Sequence, residues 1–361
     1  MIMKAKHLLY IAALTLVLPL QSCYINEDRN MVNDAKTNFN ELWKICDENY
    51  CYFDYKNIDW DSIYTVYEPR VHNGMSNEEL FKVCSDLVNE LRDGHVNLTY
   101  EYGSSRYWKW YEDYPQNYDE RIILENYFNF DYYQTGGFIY QILPENIGYI
   151  YYGSFSSDCP DVLLDRILTM FKDCKGIIFD IRNNGGGNKA NVNKLACRFT
   201  QEVKKLKGYT LHKTGLGHSD FGDTIPEYLT PPGTLSSINY LDEPSDMQNL
   251  DSKRVRFLKP VTVLTNRYVY SAANDLIRTV KVLDNVTVIG DHTGGGGGIP
   301  VSYDLPNGWA IRLSATPMLD INKQHTENGI DPDIRVDMAE DAHMTGRDAI
   351  LDTAIEYLLA K

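Results

Sequence analysis

Ser271 stands where a serine could act as a nucleophile. It follows the apolar run Val261–Thr265 after a short loop, and it precedes Ala272, Ala273 and a stretch to Leu283 whose pattern predicts a helix. A serine at a helix start can attack a carbonyl held over the helix N-terminus, with the Ala272 amide helping to bind the oxyanion. Two small alanines keep that approach uncrowded. The same position suits an ordinary N-cap, in which the hydroxyl serves the helix's own amides, and spacing alone favours the cap. His95 closes the Asp93-Gly94-His95 block, at the junction of a predicted helix and a predicted strand. Such junctions often carry chemistry, although a single histidine is more often structural.

Two glycine-rich loops could supply backbone donors. The buried-strand pattern Gly176–Ile181 runs into Gly185-Gly186-Gly187 and then a helix. Bare backbone lets amide N–H groups face a ligand, and a helix start adds positive potential. That arrangement can cradle a phosphate or hold an oxyanion. The Gly-Lys-Ser/Thr ending of a phosphate loop is missing, and a tight turn is the plain alternative. Five consecutive glycines, Gly294 to Gly298, follow Gly290-Asp-His-Thr293. Ordering them costs chain entropy, which is worthwhile mainly where backbone must approach something closely or move.

The elements that must position these groups follow from periodicity. Residues from about 30 to 91 read as helical. Ser76-Asn77-Glu78-Glu79 is a capping box, and Leu80, Phe81, Cys84, Leu87, Val88 and Leu91 recur behind it at helical spacing. Beyond Tyr102 the chain is tyrosine-rich and irregular. Strands are predicted at 137–143, 147–152, 176–181, 261–265 and 286–289, alternating from the third onwards with helices at 161–174, 189–199 and 271–283. This alternation predicts an α/β fold with a mostly parallel sheet covered by helices. The expected organisation is a leader at 1–22, a tether at 23–37, a helical subdomain at 38–100, an irregular connection at 101–136, and a core at 137–340. A long insertion at 208–253 interrupts the core, and a C-terminal helix at 341–361 follows it.

Lys4 and Lys6 precede an apolar run, Leu8–Leu20, which leads into Leu20-Gln21-Ser22-Cys23. This pattern describes a secretory signal, and the run is shorter than the about 20 residues a membrane span needs. The Leu-x-Ser-Cys ending resembles a lipoprotein box, which implies lipid attachment at Cys23 and an anchored cell-envelope protein, facing either the periplasm or the surface. Loss of 1–22 would take the formal net charge from −15 to −17. An acidic chain is a poor partner for nucleic acid. The six cysteines after Cys23 fit no zinc pattern, so no metal, no cofactor and no obligatory disulfide are expected.

Five blocks in order resemble a known family: Asp93-Gly94-His95, Asp180-x-Arg-x-Asn-Gly-Gly-Gly, Ser271-Ala-Ala, Gly290-x-x-Thr-Gly and Glu327-x-Gly-Ile-x-Pro-Asp. It is the serine peptidase family of the C-terminal processing peptidases, the tricorn protease core and the interphotoreceptor retinoid-binding repeats. The resemblance covers about 38–336 and implies a helical bundle followed by a ClpP/crotonase-like core. The processing branch uses a lysine in its Thr-x-Gly-Lys-Gly loop, and Gly296 stands at that position here. Lys281, ten residues along the Ser271 helix, would lie about 15 Å away. The tricorn-like branch implies Ser271 as nucleophile, His95 as general base and Glu327 in support, with Ala272 and Gly185 or Gly186 as backbone donors to the oxyanion. Two departures are Gly94, where that branch has a serine, and Asn274, where the family often has a glutamate. His292 and His325 are rival bases. The processing branch's PDZ module is not expected, because 101–136 is too short for one. The implied function is endopeptidase action on envelope or imported polypeptides. The alternative is an impaired relative that binds peptides or hydrophobic ligands.

Overall fold

The computed structural model describes residues 33–202, 204–230 and 254–361. The expected leader, Cys23, most of the tether and the 231–253 part of the insertion lie outside the described residues. At the front, α1 (Ala35–Asn49) starts at Asp34, whose carboxylate accepts the Thr37 amide at 2.8 Å. Helix α2 (Trp60–Tyr67) is capped in the same way by Asp59. Helix α3 (Asn77–Asn89) opens with both bonds of the Ser76/Glu79 capping box. These helices share one apolar core with Trp309, Ile311 and Leu313, which come from more than 200 residues further along the chain.

Next come β1 (Asn97–Tyr100) and β2 (Gly103–Ser104). The 101–136 connection is more ordered than its composition suggested. It holds α4 (Lys109–Glu112), α5 (Glu120–Ile122) with a wide helical turn through Tyr127, and β3 (Tyr133–Thr135). Then follow β4 (Phe138–Leu143), β5 (Ile147–Tyr152), α6 (Asp161–Met170), β6 (Ile177–Asp180), α7 (Ala190–Ala196), β7 (Lys205–Thr210) and β8 (Ile225–Leu229). The chain continues through β9 (Val261–Thr265), α8 (Ala272–Val280), β10 (Val286–Gly290), β11 (Gly298–Asp304), β12 (Ala310–Leu319) and β13 (Ile334–Arg335). It ends in α9 (Ala342–Thr345) and α10 (Ala349–Leu359).

Among the described residues these strands form two sheets. One has the order β13-β10-β9-β6-β5-β4-β3 and is parallel from β5 to β13, with an antiparallel edge formed by β3 and β4. Its central strands β6 and β9 are buried at every residue, as continuous apolar runs covered on both faces must be. The other sheet, antiparallel throughout, was not expected. Strand β12 pairs with β1, β11 and β7, and β7 with β8. The expected insertion therefore includes β8 and the end of β7, paired rather than looped. Pairing across such separations is set by tertiary contact, and local pattern does not reveal it.

Cys46, Cys51, Cys84, Cys159, Cys174 and Cys197 are all buried. Among the described residues, no helix is long and apolar enough to cross a membrane.

Candidate active site

Strand β9 feeds a loop that neighbouring backbone pins on both sides. The Tyr270 amide donates to the Asn184 carbonyl at 3.1 Å, Ser271 N to the Gly295 carbonyl at 2.9 Å, and Gly294 N to the Val269 carbonyl at 2.8 Å. These bonds hold Ser271 at φ +56° and ψ −121°. A non-glycine residue held there costs on the order of 1–3 kcal/mol and persists only where its surroundings over-determine it. The hydroxyl makes no capping bond to α8; Oγ instead meets His95 Nε2 at 2.9 Å. The simple N-cap is therefore not what Ser271 does.

His95 is set by the residue two before it. Asp93 Oδ1 accepts the His95 amide at 2.7 Å, and Oδ2 accepts the Tyr50 hydroxyl at 3.1 Å. Burial pushes the imidazole down to about 4; the Asp93 charge opposes this, and those of Arg312 and Lys56 add to it. A ring neutral at pH 7 can accept the Ser271 proton. The Gly298 backbone, beside the ring, favours its protonated form.

The Gly185–Gly187 loop owes its place to Asp180 and Arg182. Arg182 Nη2 donates to Asp180 Oδ2 at 2.6 Å and Nη1 pairs with Asp348 at 2.8 Å, all three side chains being fully buried. Asp348 also caps α10, so the loop is anchored to the C-terminal helix. The Gly186 amide donates to Asn184 Oδ1 at 3.0 Å. Of the two glycine donors expected, Gly186 is thus already engaged, which leaves the amides of Gly185 and Ala272 as the candidate donors. Gly186 has a different task. At φ +97°, a Cβ there would lie 2.8 Å from Ser271 Cβ and 3.0 Å from the Ala272 amide, so glycine keeps the space over that amide open.

Glu327 does not bond His95. Its Oε1 accepts from Lys56 Nζ at 2.7 Å, and Lys56 also reaches the Arg92 carbonyl at 3.1 Å and stands 3.8 Å from Asp93. Two buried carboxylates therefore share one buried ammonium. Burial and the Asp93 charge push Glu327 up to about 8, while Lys56 and His95 hold Asp93 low against its own burial. Any support from Glu327 reaches His95 through Lys56 and Asp93. Lys56 carried no sequence signal. It follows an aromatic stretch in the helical front, and only folding brings it to residue 327. Asp93 lay in a block already singled out, although as a landmark without a role.

The rival groups are engaged elsewhere. His292 Nδ1 is 2.6 Å from Asp331 and its Nε2 is 2.8 Å from the Asn328 carbonyl. His325 packs on the Tyr55 ring at 4.3 Å. Lys281 donates to the Asp331 carbonyl at 3.1 Å and pairs with Asp333. Ser271 and His95 open onto a cleft of about 650 Å³, one wall of which is built by Trp108 and Trp110 of the tyrosine-rich connection. No group of three or more His, Cys, Asp or Glu among the described residues could hold a metal ion.

Residues 146–336 match the model of peptidase family S41, and residues 31–89 match that of the tricorn protease C1 domain. The chain belongs to peptidase family S41. It is 23% identical over 206 residues to the carboxy-terminal processing protease CtpA of Bacillus subtilis, a match covering 56% of this chain and 38% of the relative. It is 25% identical over 199 residues to the chloroplastic C-terminal processing peptidase of Tetradesmus obliquus, covering 54% and 36%. The match thus spans less than two-fifths of the length of either of these curated relatives. A crystal structure of a candidate peptidase from Parabacteroides merdae is 46% identical with a TM-score of 0.81, covering 91% of this chain and 98% of that one.

Gly94 and Gly296 face the same neighbour. A Cβ at Gly94 would lie 2.7 Å from Trp110 Nε1 and 2.9 Å from Tyr270 Oη; at Gly296 it would lie 2.5 Å from the Tyr270 ring. Tyr270 stacks on Trp110 at 4.2 Å and meets the His95 ring edge-on at 5.0 Å. One aromatic residue, immediately before Ser271, thus occupies the space that side chains at both positions would need. Asn274 is fully buried and bonded. It accepts from Thr293 Oγ1 at 2.7 Å and donates to the Thr326 carbonyl at 3.0 Å, which ties α8 to the glycine-rich loop and to the segment carrying Glu327.

Proposed function

We propose that this chain is a serine endopeptidase acting through an acyl-enzyme on Ser271. The observation that carries the proposal is the 2.9 Å approach of His95 Nε2 to the hydroxyl of a serine held at a positive φ. His95 takes the Ser271 proton as Oγ attacks the peptide carbonyl. The Ala272 and Gly185 amides stabilise the oxyanion, and such donors are typically worth about 10²–10³ in rate each. The imidazolium then protonates the leaving amine, the C–N bond breaks, and water, deprotonated by the same ring, releases the acid. Asp93 positions His95 through its backbone, and the Lys56–Glu327 pair balances the Asp93 charge.

The substrates we propose are envelope or imported polypeptides, and the enzyme is anchored through lipid on Cys23. Partition of the mature protein into the aqueous phase of a detergent extract would overturn the anchor. A fluorophosphonate probe tests the chemistry. Labelling that disappears in Ser271→Ala and in His95→Ala is expected. A well-folded wild-type protein that the probe leaves unlabelled would instead favour an impaired relative that only binds peptides or hydrophobic ligands.

A further inference from the structure

The cleft next to Ser271 is lined by two arginines and by no carboxylate, in a chain of net charge −15. Arg312 comes from the middle of β12, where it is paired across to Asn97 on β1 and to Ser302 on β11. Alternation along the strands puts Asn97, Thr99, Ser302 and Ala310 on the same face, and all four line the cleft. Arg106 follows β2 and lies over the Trp108 ring at 5.3 Å. Arg312 Nη1 reaches only the His95 carbonyl at 3.4 Å and Asn97 Oδ1 at 3.5 Å, so its guanidinium rests directly against the backbone of the proposed base.

Neither arginine is in an ion pair with a carboxylate among the described residues. Elsewhere the buried arginines of this chain are paired: Arg182 with Asp180 and Asp348, Arg198 with Asp161 and Asp165, Arg278 with Asp275 and Glu227. Asp93 accepts from Tyr50 and from the His95 amide and makes no ion pair with either arginine. Asp304, two residues beyond Ser302 on β11, is exposed and forms no ion pair with either arginine. Arg312 is half-buried; burial disfavours its charge most, the Asp93 charge partly offsets that, and the neighbouring Arg106 disfavours it further. A partly desolvated cation with a second cation near it, attracted by Asp93 but in ion-pair contact with no carboxylate among the described residues, is only partly compensated by the protein.

We propose that Arg106 and Arg312 form an anion-recognition subsite that binds a substrate carboxylate next to the scissile bond. Guanidinium groups bind carboxylates through paired, charge-assisted hydrogen bonds, and the hydroxyl- and amide-bearing floor around Arg312 suits such a group. The carboxylate is either a Glu or Asp side chain or the free C-terminus of the polypeptide. The inference rests on the peptidase reading above and adds selectivity to it.

The test uses the full chain with sets of fluorogenic peptides. In one set, Glu is exchanged for Gln at each position around the cleaved bond. In the other, a free C-terminal acid is exchanged for the amide. A preference of at least about tenfold in kcat/KM for the carboxylate is expected in one of the two sets, and which set shows it identifies the source. Arg106→Gln together with Arg312→Gln should abolish the preference. Labelling of Ser271 by a neutral fluorophosphonate should continue in the Arg106→Gln single variant, which shows that the fold and the nucleophile are intact. Arg106→Glu should weaken or reverse the preference, and it lies at an exposed position where folding is not at risk. Equal rates for acid and neutral peptides on an enzyme that the probe labels would overturn the subsite and leave the peptidase reading standing. If the probe fails to label, calorimetric titration of the same peptide pairs decides: equal affinity for acid and neutral peptides overturns the subsite, and tighter binding of the acid supports it.

Discussion

Replacing Lys56 by methionine keeps most of the side chain's length and removes its charge. The Lys56 and Glu327 side chains are 5% and 3% exposed and 2.7 Å apart, with Asp93 at 3.8 Å. Removing one partner of a buried pair typically costs about 3–5 kcal/mol, because a charge is left uncompensated. For a domain of 150–250 residues, that corresponds to a fall in Tm of roughly 6–20 °C, and somewhat less for a larger one. The loss should depend on pH. Glu327 is already pushed up to about 8. A carboxyl that holds its proton more tightly when folded contributes stability fully below its ordinary value of 4.5 and loses it as pH rises through about 8. Without Lys56 the Glu327 carboxyl climbs further, so the Lys56→Met loss should combine a part from the uncompensated Asp93 charge, present at both pH 6 and pH 9, with a part from Glu327 that is small near pH 6 and large near pH 9. Adding Glu327→Gln should recover the Glu327 part of the loss at pH 9 and leave the Asp93 part. Thermal and denaturant unfolding of the two single variants and the double variant, at both pH values, complete the cycle. A Lys56→Met protein as stable as wild type at pH 9, or a double variant with no recovery, would refute the shared-ammonium arrangement.

Other outcomes follow from the same geometry. Because burial holds His95 at about 4, the rate of fluorophosphonate labelling should be flat from pH 5 to 8 and fall only as pH drops through about 4; a limb near the ordinary imidazole value of 6.5 would contradict that environment. Gly186→Ala puts a methyl group 2.8 Å from Ser271 Cβ at a backbone φ of +97°. Labelling and turnover should drop at least about 10²-fold, with circular dichroism checking the fold. Gly94→Ser, which would restore the tricorn-like side chain, should impair the enzyme because Trp110 Nε1 and Tyr270 Oη occupy the space. Trp110→Ala in the same chain should restore part of the activity, and a Gly94→Ser variant as active as wild type would show that the wall yields freely.

Much of the fold could be read from local pattern. The Ser76 capping box, the apolar runs 177–180 and 261–265 and the helices between them are short-range features, and short-range physics decides them. The antiparallel sheet around β12 could not be read in this way. Its pairing of residues 97 and 312 joins strands that neither adjacency nor a turn signal connects. Composition likewise described 101–136 as irregular, and gave no hint that Trp108 and Trp110 would form a wall of the cleft.

Five ordered blocks were enough to place the chain in its family, and Gly296 put a glycine where the processing branch would have its lysine. For Ser271 alone, an N-cap and a nucleophile were both open, since hydroxyl chemistry and helix-start position suit either. Folding removed the cap. The Gly295 and Asn184 carbonyls pin the loop so that Ser271 takes a positive φ, which turns the hydroxyl off the helix and onto His95. Tertiary structure alone also brought Lys56 to Glu327 and placed Arg312 beside the base. A long-range ion pair or an unpaired charge depends on which surfaces meet after folding, and no local pattern in the chain records that.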